Sequence, residues 1–217
     1  MERKGRYWVV LGLVGWVAVA LFGLLSDQYN GWYMGLMAAQ QLVFVICGGL
    51  GTDWTRFARP SVTAVAQGVL LGVGLYLINT VTMSIAVGAL ELLGAQQALQ
   101  WVFAERSAME ALVTSGSPKA ALTAFLLVVV AAPFGEELFF RGALLGALVE
   151  NQGRKKGLVL ASLVFAALHL YIIRFVPIMV AGLYLGLIVL RTRSLAAAVT
   201  AHGVANCLTF FVLLAAL

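Results

Sequence analysis

The sequence predicts an all-α integral membrane protein, a polytopic helical bundle with about seven transmembrane helices and a cytoplasmic N-terminus. Of the 217 residues, 62% are hydrophobic and only 11% are charged, whereas about a quarter of the residues in a soluble domain are charged. Several apolar stretches exceed the ~18 residues that span a bilayer, and a spanning segment satisfies its backbone hydrogen bonds as a helix. Because these stretches are continuously apolar and do not alternate, a transmembrane β-barrel is disfavoured.

Seven stretches have the length and composition of membrane spans. They lie at about 7–25, 31–50, 62–90, 119–148, 157–173, 175–190 and 195–216. The third and fourth are longer than one crossing needs, so they are expected to tilt, bend or project beyond the lipid. The sizeable connection, about 94–118, is interpreted either as an amphipathic interfacial helix or as an ordinary loop helix.

Basic residues alternate between the connections and predict the orientation. The alternate connections hold only Arg106, Lys119 and Arg174, and Arg141 lies inside the fourth span. Since Lys and Arg accumulate on the cytoplasmic side, the N-terminus is predicted inside and the C-terminus outside. The net charge of +5 then needs no nucleic acid as a partner. The other ten basic residues lie at the N-terminus and in every second connection: Arg3, Lys4, Arg6, Arg56, Arg59, Arg154, Lys155, Lys156, Arg191 and Arg193.

Three charged residues interrupt the fourth span: Glu136, Glu137 and Arg141. A charge near the bilayer centre costs about 2.5–3.5 kcal/mol, so these side chains must pair or face a wet cavity. Glu137 and Arg141 are four residues apart with the acid first, which favours an ion pair. Glu136 points about 100° further round the helix, and Pro133 before it predicts a kink that starts a second half-helix. The alternative is that all three charges form a buried network that only holds helices together.

The two histidines of the chain are predicted to lie at the same depth as Glu136. At 1.5 Å per residue, His169 is about 18 Å and His202 about 14 Å from the basic flank of its span. Three ionisable groups on three spans can therefore meet at one level. Asn206 is one helical turn after His202 and shares its face, whereas Phe165 is one turn before His169 and is expected to orient the imidazole by packing.

These residues form three short patterns on successive hydrophobic segments: Glu136-Glu137-x-x-x-Arg141, Phe165-x-x-x-His169 and His202-x-x-x-Asn206. In this order they resemble the three motifs of the CAAX prenyl protease and bacteriocin-processing (CPBP, or "Abi") family of intramembrane proteases. The resemblance covers about residues 118–212. It divides one membrane domain into N-terminal helices with an interfacial loop (1–117), which carry no matched motif, and a protease-like catalytic core (118–217).

The resemblance implies hydrolysis of a peptide bond within the membrane, with the first glutamate and the motif histidines as catalytic positions. Hydrolysis needs a base that activates water, and a desolvated carboxylate has the basicity for that step. Glu136 is the predicted base, and His169 is predicted to assist it in holding the water. His202 and Asn206 are predicted to stabilise the oxyanion. The ion pair within the fourth span is predicted to hold the helix and to bias the local field.

Zinc chemistry is an alternative to this metal-free mechanism. Glu136, His169 and His202 make up a catalytic zinc ligand set, and Glu137 would then be the base. The sequence lacks a His-Glu-x-x-His motif, and Glu137 is better placed to pair with Arg141. The prediction is therefore a glutamate-type enzyme without a cofactor.

Two other functions account for part of the pattern. A proton-coupled transporter also places Glu, His and Arg in mid-membrane, but it usually shows repeated halves, which this sequence lacks. A non-catalytic scaffold or bacteriocin-immunity protein of the same fold is free to lose a base or a histidine, yet this chain keeps them all. The expected partners are the lipid bilayer and a peptide or protein substrate that arrives through the membrane or from the cytoplasmic face. The expected location is the plasma membrane of a prokaryote, and no oligomeric state is predicted.

Three Gly-x-x-x-Gly patterns begin at Gly68, Gly142 and Gly182. Small residues let transmembrane helices approach closely. The favoured interpretation is packing within one chain, with dimerisation as the alternative.

Overall fold

The computed structural model describes residues 3–25, 32–104 and 117–215, and the regular elements within these ranges are helices. A short helical segment covers residues 96–104, and the predicted interfacial segment beyond it lies largely outside the described residues. The predicted all-α polytopic bundle is confirmed, because six of the described helices are long and apolar enough to cross a membrane. They are α1 (Arg3–Leu25), α2 (Trp32–Gly51), α3 (Val62–Leu92), α4 (Pro118–Ala167), α5 (Phe175–Thr192) and α6 (Leu195–Ala215).

Helix α4 folds back on itself. Gly153 has φ 78° and ψ 166°, a non-helical conformation in the left-handed half of φ space that favours glycine. A Cβ atom on Gly157 would lie 2.6 Å from the backbone nitrogen of Val149, whereas eight residues of continuous helix span about 12 Å. We therefore describe α4 as a first arm (118–152) and an antiparallel second arm (154–167). Counted this way, the six candidate membrane spans comprise seven helical arms.

Two local predictions about these passes are wrong. The fifth span was expected over 157–173, but its helix ends at Ala167 and His169 lies in the turn that follows. Leu170, with φ 58°, takes the left-handed conformation typical of such a helix end. Pro133 does not start a second half-helix either, because the backbone stays helical around it. A π-helical segment lies on each side of this proline, Leu126–Ala131 and Glu137–Leu144.

The basic connections meet at one end of the bundle. Arg6 Nη2 donates a hydrogen bond to Asn151 Oδ1 over 2.9 Å. Arg56 pairs with Glu150 over 3.3 Å, and Arg193 Nε donates to the carbonyl oxygen of Arg56 over 2.9 Å. The N-terminus and the three connections predicted to be cytoplasmic therefore lie together, as an alternating topology requires.

Glycines set the close approaches between helices within the chain. A Cβ on Gly68 or Gly72 would meet Thr200 or Val204, so α3 packs directly on α6. Gly182 and Gly186 face the second arm of α4, and Gly142 faces Thr52, whereas nothing lies within 4 Å of a Cβ on Gly146. Five of the six glycines in the three patterns therefore serve packing within one chain.

Candidate active site

A buried charged cluster joins the first arm of α4 to α6. Glu137 is fully buried, and its Oε1 accepts hydrogen bonds from Arg141 Nη1 at 2.9 Å and from His202 Nδ1 at 3.0 Å. The ion pair predicted from the four-residue spacing is therefore present. The contact between Glu137 and His202 is not among the sequence predictions. Further hydrogen bonds lower the cost of burying an ion pair. The histidine supplies one of them at Oε1, whereas Oε2 of Glu137 is buried without a partner in the described part of the chain.

Arg141 is held on the side away from the carboxylate as well. Its Nη2 lies 3.4 Å from the carbonyl oxygen of Gly182, a contact at the long limit for a hydrogen bond. The guanidinium carbon lies 4.2 Å from the centre of the Phe165 ring, within cation–π distance. The arginine therefore ties the first arm of α4 to the second arm and to α5.

Phe165 lies between the three motifs. Its ring centre is 5.0 Å from that of Phe140 and 4.6 Å from that of His169, in edge-on geometry. The ring of His202 is 6.4 Å away on another side. The predicted packing of Phe165 against the His169 imidazole is present, and the same ring also contacts the charged cluster through Arg141.

The hydrogen-bond partners of the two histidines define their tautomers. His169 Nδ1 lies 2.7 Å from the carbonyl oxygen of Phe165. A carbonyl only accepts hydrogen bonds, so Nδ1 carries the proton and Nε2 of the neutral ring is an acceptor. Oε1 of Glu137 accepts from Arg141, and Nδ1 of His202 faces the same acceptor, so Nδ1 carries the proton here too. Both rings are thus held at Nδ1, which leaves Nε2 for chemistry.

Glu136 is buried, with 8% of its surface exposed, at the end of the short α-helical stretch Ala132–Glu136. It lies one turn before Phe140, and His169 lies one turn after Phe165. Since Phe140 and Phe165 are in contact and the two arms are antiparallel, Glu136 and His169 lie at one level. Arg141 is within electrostatic range of Glu136 as well as of Glu137.

Asn206 supplies a hydrogen bond that the backbone of the π-helical segment Leu126–Ala131 lacks. The N–H of Ala132 donates to the carbonyl of Leu127, five residues back. In that register the carbonyl of Val128 would take its bond from residue 133, but Pro133 has no N–H. Asn206 Nδ2 donates to the Val128 oxygen instead, over 2.9 Å. This bond uses one of the two amide N–H groups of Asn206, so the residue braces the helix, and the predicted role at the oxyanion would fall to the other N–H group.

The residues proposed as zinc ligands do not form a preformed metal site. No three His, Cys, Asp or Glu side chains are grouped as metal ligands in the part of the chain that the structure describes. Glu137, the base of the zinc alternative, is bound to Arg141 and His202. The arrangement of Glu136, His169 and His202 therefore does not fit a ready three-ligand zinc centre, and we derive no step through a metal.

The N-terminal helices contribute to this site, which the sequence analysis did not predict. Gln41 of α2 is buried and its Oε1 faces Gly135, the residue before Glu136. A Cβ on Gly48, further along α2, would lie 2.6 Å from the backbone nitrogen of Phe139. The available signal was a pair of glutamines within an otherwise apolar span, since a polar side chain in lipid needs a partner.

Comparison with known families agrees with the motifs. Residues 118–208 match the family model described as Rce1-like, type II CAAX prenyl endopeptidase Rce1-like. The matched segment is somewhat less than half of the chain and contains every motif position. It confirms the resemblance to the CPBP family, and at the level of the family it supports a CAAX-type intramembrane protease. No curated protein and no solved structure matches the chain.

Proposed function

We propose that this protein is an intramembrane endopeptidase that hydrolyses a peptide bond of a membrane-associated or prenylated peptide or protein. One observation carries the proposal. Two adjacent glutamates of the Rce1-like segment have different surroundings, because Glu137 is bound to Arg141 and His202 while Glu136 lies beside this cluster at the level of His169. Glu136 is thereby left as the carboxylate that can exchange a proton.

Glu136 acts as the base in the proposed reaction. It accepts one proton of a water molecule, and Nε2 of His169 accepts a hydrogen bond from the other. The water oxygen forms a bond to the carbonyl carbon of the peptide, and the electron pair of the C=O double bond moves to the oxygen. When the tetrahedral intermediate collapses, the C–N bond breaks and the leaving nitrogen takes the proton from Glu136. Positioned general bases of this kind contribute about 10²–10⁴-fold to the rate.

His202 stabilises the oxyanion, with Glu137 behind it. Nδ1 stays bound to Glu137, and in the doubly protonated ring Nε2 carries the proton that is donated to the oxyanion. Asn206, one turn further along α6, offers its second amide N–H on the same face. Glu137 and Arg141 are supporting residues, because they fix the ring of His202 and the relative position of the helices.

The proposed substrate reaches the site through the lipid or from the cytoplasmic face. The site lies among membrane-spanning helices, and the longest connection at the basic end of the bundle is residues 52–61. We propose the plasma membrane of a prokaryote as the location. A prenylated C-terminus, a bacteriocin or pheromone leader, and a membrane-bound regulator are the substrate classes to be tested.

Purified protein in detergent is offered a panel of quenched fluorescent peptides, prenylated and unprenylated, with and without a zinc chelator. Wild type is compared with Glu136→Gln and His169→Ala. We expect cleavage that survives the chelator and is lost in both variants. Cleavage that is abolished by chelator and restored by zinc would replace the glutamate-type mechanism by a metal-dependent one. Equal cleavage by wild type and the folded variants would remove both residues from the mechanism, and ion flux that depends on Glu136 would favour a transporter.

A further inference from the structure

A buried glutamine of α2 presents an acceptor without a donor to the motif helix. Gln41 has 6% of its surface exposed, and in the described part of the chain its Oε1 has no hydrogen-bond partner. A Cβ on Gly135 would lie 2.8 Å from this oxygen. A buried acceptor without a donor costs free energy, so such an atom next to a catalytic residue calls for an explanation by function.

The helix register brings Gln41 to the level of Glu136. Gln41 lies against Gly135 and Thr52 against Gly142, so α2 and the first arm of α4 run in the same direction. The rings of Phe44 and Phe140 are in contact, with centres 5.2 Å apart. Gln41 precedes Phe44 by one turn, and Glu136 precedes Phe140 by one turn. The two polar residues therefore lie in the same layer of the bundle, next to this aromatic contact.

Most other polar groups around Glu136 already have partners, and within the described part of the chain the exception next to it is Oε2 of Glu137, which is buried without one. Glu137 accepts from Arg141 and His202, and His169 Nδ1 is held by the carbonyl of Phe165. Nε2 of His169 is assigned to the water in the proposed reaction. The Gln41 oxygen is thus the acceptor that α2 offers from the opposite side.

We propose that Gln41 is a positioning residue for Glu136, whose carboxyl proton it accepts in a hydrogen bond after the base has deprotonated the water. This inference rests on the proposed function. An amide oxygen repels the ionised carboxylate and attracts the protonated carboxyl, so the contact favours the state that forms during attack on the peptide bond. The bond breaks when Glu136 passes the proton to the leaving nitrogen, and Gln41 gains or loses no proton.

Infrared spectroscopy tests the contact without any substrate. The carboxyl C=O stretch of protonated Glu136 is measured in acid and assigned by its loss in Glu136→Gln. Gln41→Met keeps the length of the side chain and removes the acceptor, and Gln41→Leu is made beside it in case one of them misfolds. We expect the band to move to higher wavenumber in both, since a carboxyl without a hydrogen-bond acceptor has a stiffer C=O bond.

Gln40→Met is the matched control. Gln40 is the same residue type in the same turn of α2 but is only partly buried, so the Glu136 band should stay where it is in wild type. A Glu136 band that is unchanged in the folded Gln41 variants would overturn the proposal.

Cleavage kinetics supply the second readout. We expect Gln41→Met to lower kcat about three- to tenfold, the range of one neutral hydrogen bond, with KM within about twofold because the contact forms after substrate has bound. A variant with normal kcat and an unshifted band contradicts the inference even if Glu136 is essential. If Glu136→Gln cleaves like wild type, the proposed function fails, and the infrared band still reports whether the two residues touch.

Discussion

Nδ1 of His202 lies 3.0 Å from Oε1 of Glu137, and the same oxygen accepts from Arg141 at 2.9 Å. Because of this contact, the two adjacent glutamates have different surroundings. Glu137 is the anchor of a cluster that links α4 to α6, whereas Glu136 is not part of that ion pair. The two positions should therefore respond differently to the same chemical change.

Carboxylate-to-amide substitutions at the two positions separate stability from chemistry. Glu137→Gln leaves the Arg141 guanidinium buried without its counter-ion, which typically costs about 3–5 kcal/mol. Glu136→Gln removes a carboxylate outside the pair and should change stability by less than about 1 kcal/mol. Thermal unfolding in detergent measures both. Equal loss of stability in the two variants would contradict the division between anchor and base.

Removing both members of the ion pair should be less damaging than removing one. In Glu137→Gln with Arg141→Met, no unpaired charge stays buried, and a buried pair replaced by apolar groups is often close to neutral in stability. We expect the double variant to unfold at a higher temperature than Glu137→Gln alone. Arg141→Met alone completes a double-mutant cycle. If the stability losses of the two single variants add up to that of the double variant, the two side chains are not coupled.

Asn206→Ala tests the brace on the π-helical segment. The part-buried carbonyl of Val128 then lacks a donor, which costs at most about 1–3 kcal/mol, the range for a fully buried group. We expect lower stability together with a lower kcat, because the same amide is proposed to serve the oxyanion. A variant that keeps full activity and loses only stability would confine Asn206 to the structural role.

Two glycines of α4, Gly135 and Gly146, serve as a test position and its control. A Cβ at Gly135 would lie 2.8 Å from Oε1 and 3.1 Å from the backbone oxygen of Gln41, so Gly135→Ala should displace this side chain, shift α2 slightly and cost about 1–3 kcal/mol. Gly146→Ala meets nothing within 4 Å and should be neutral or stabilising by up to about 1 kcal/mol, since alanine favours a helix. Unfolding temperatures of the two variants check this. A Gly135→Ala protein as stable as wild type would argue against the close contact with Gln41.

Local spacing predicted part of the site. The pair of Glu137 and Arg141 follows from a four-residue helical spacing, and the common level of Glu136 and His169 follows from counting residues along antiparallel helices. Composition alone predicted the helical bundle, since lipid leaves the backbone few other choices.

Features that depend on how helices rotate against one another were not accessible in this way. The contact of His202 with Glu137 instead of Glu136 is set by the packing of α6, which no local pattern encodes. The apolar residues after Ala167 read as a continued span, because hydropathy does not detect a left-handed turn such as that at Leu170. Gln41 was missed for the same reason, since its importance lies in the register of α2 against the first arm of α4.

Isotope incorporation tests the central claim most directly. A peptide that the wild-type protein cleaves is incubated intact with wild type or Glu136→Gln in water enriched in oxygen-18. The product is then analysed by mass spectrometry. We predict one heavy oxygen in the new C-terminal carboxyl group with wild type, and product formation at least about 100-fold slower with folded Glu136→Gln. Labelled product formed at the wild-type rate by Glu136→Gln would contradict Glu136 as the base that activates water.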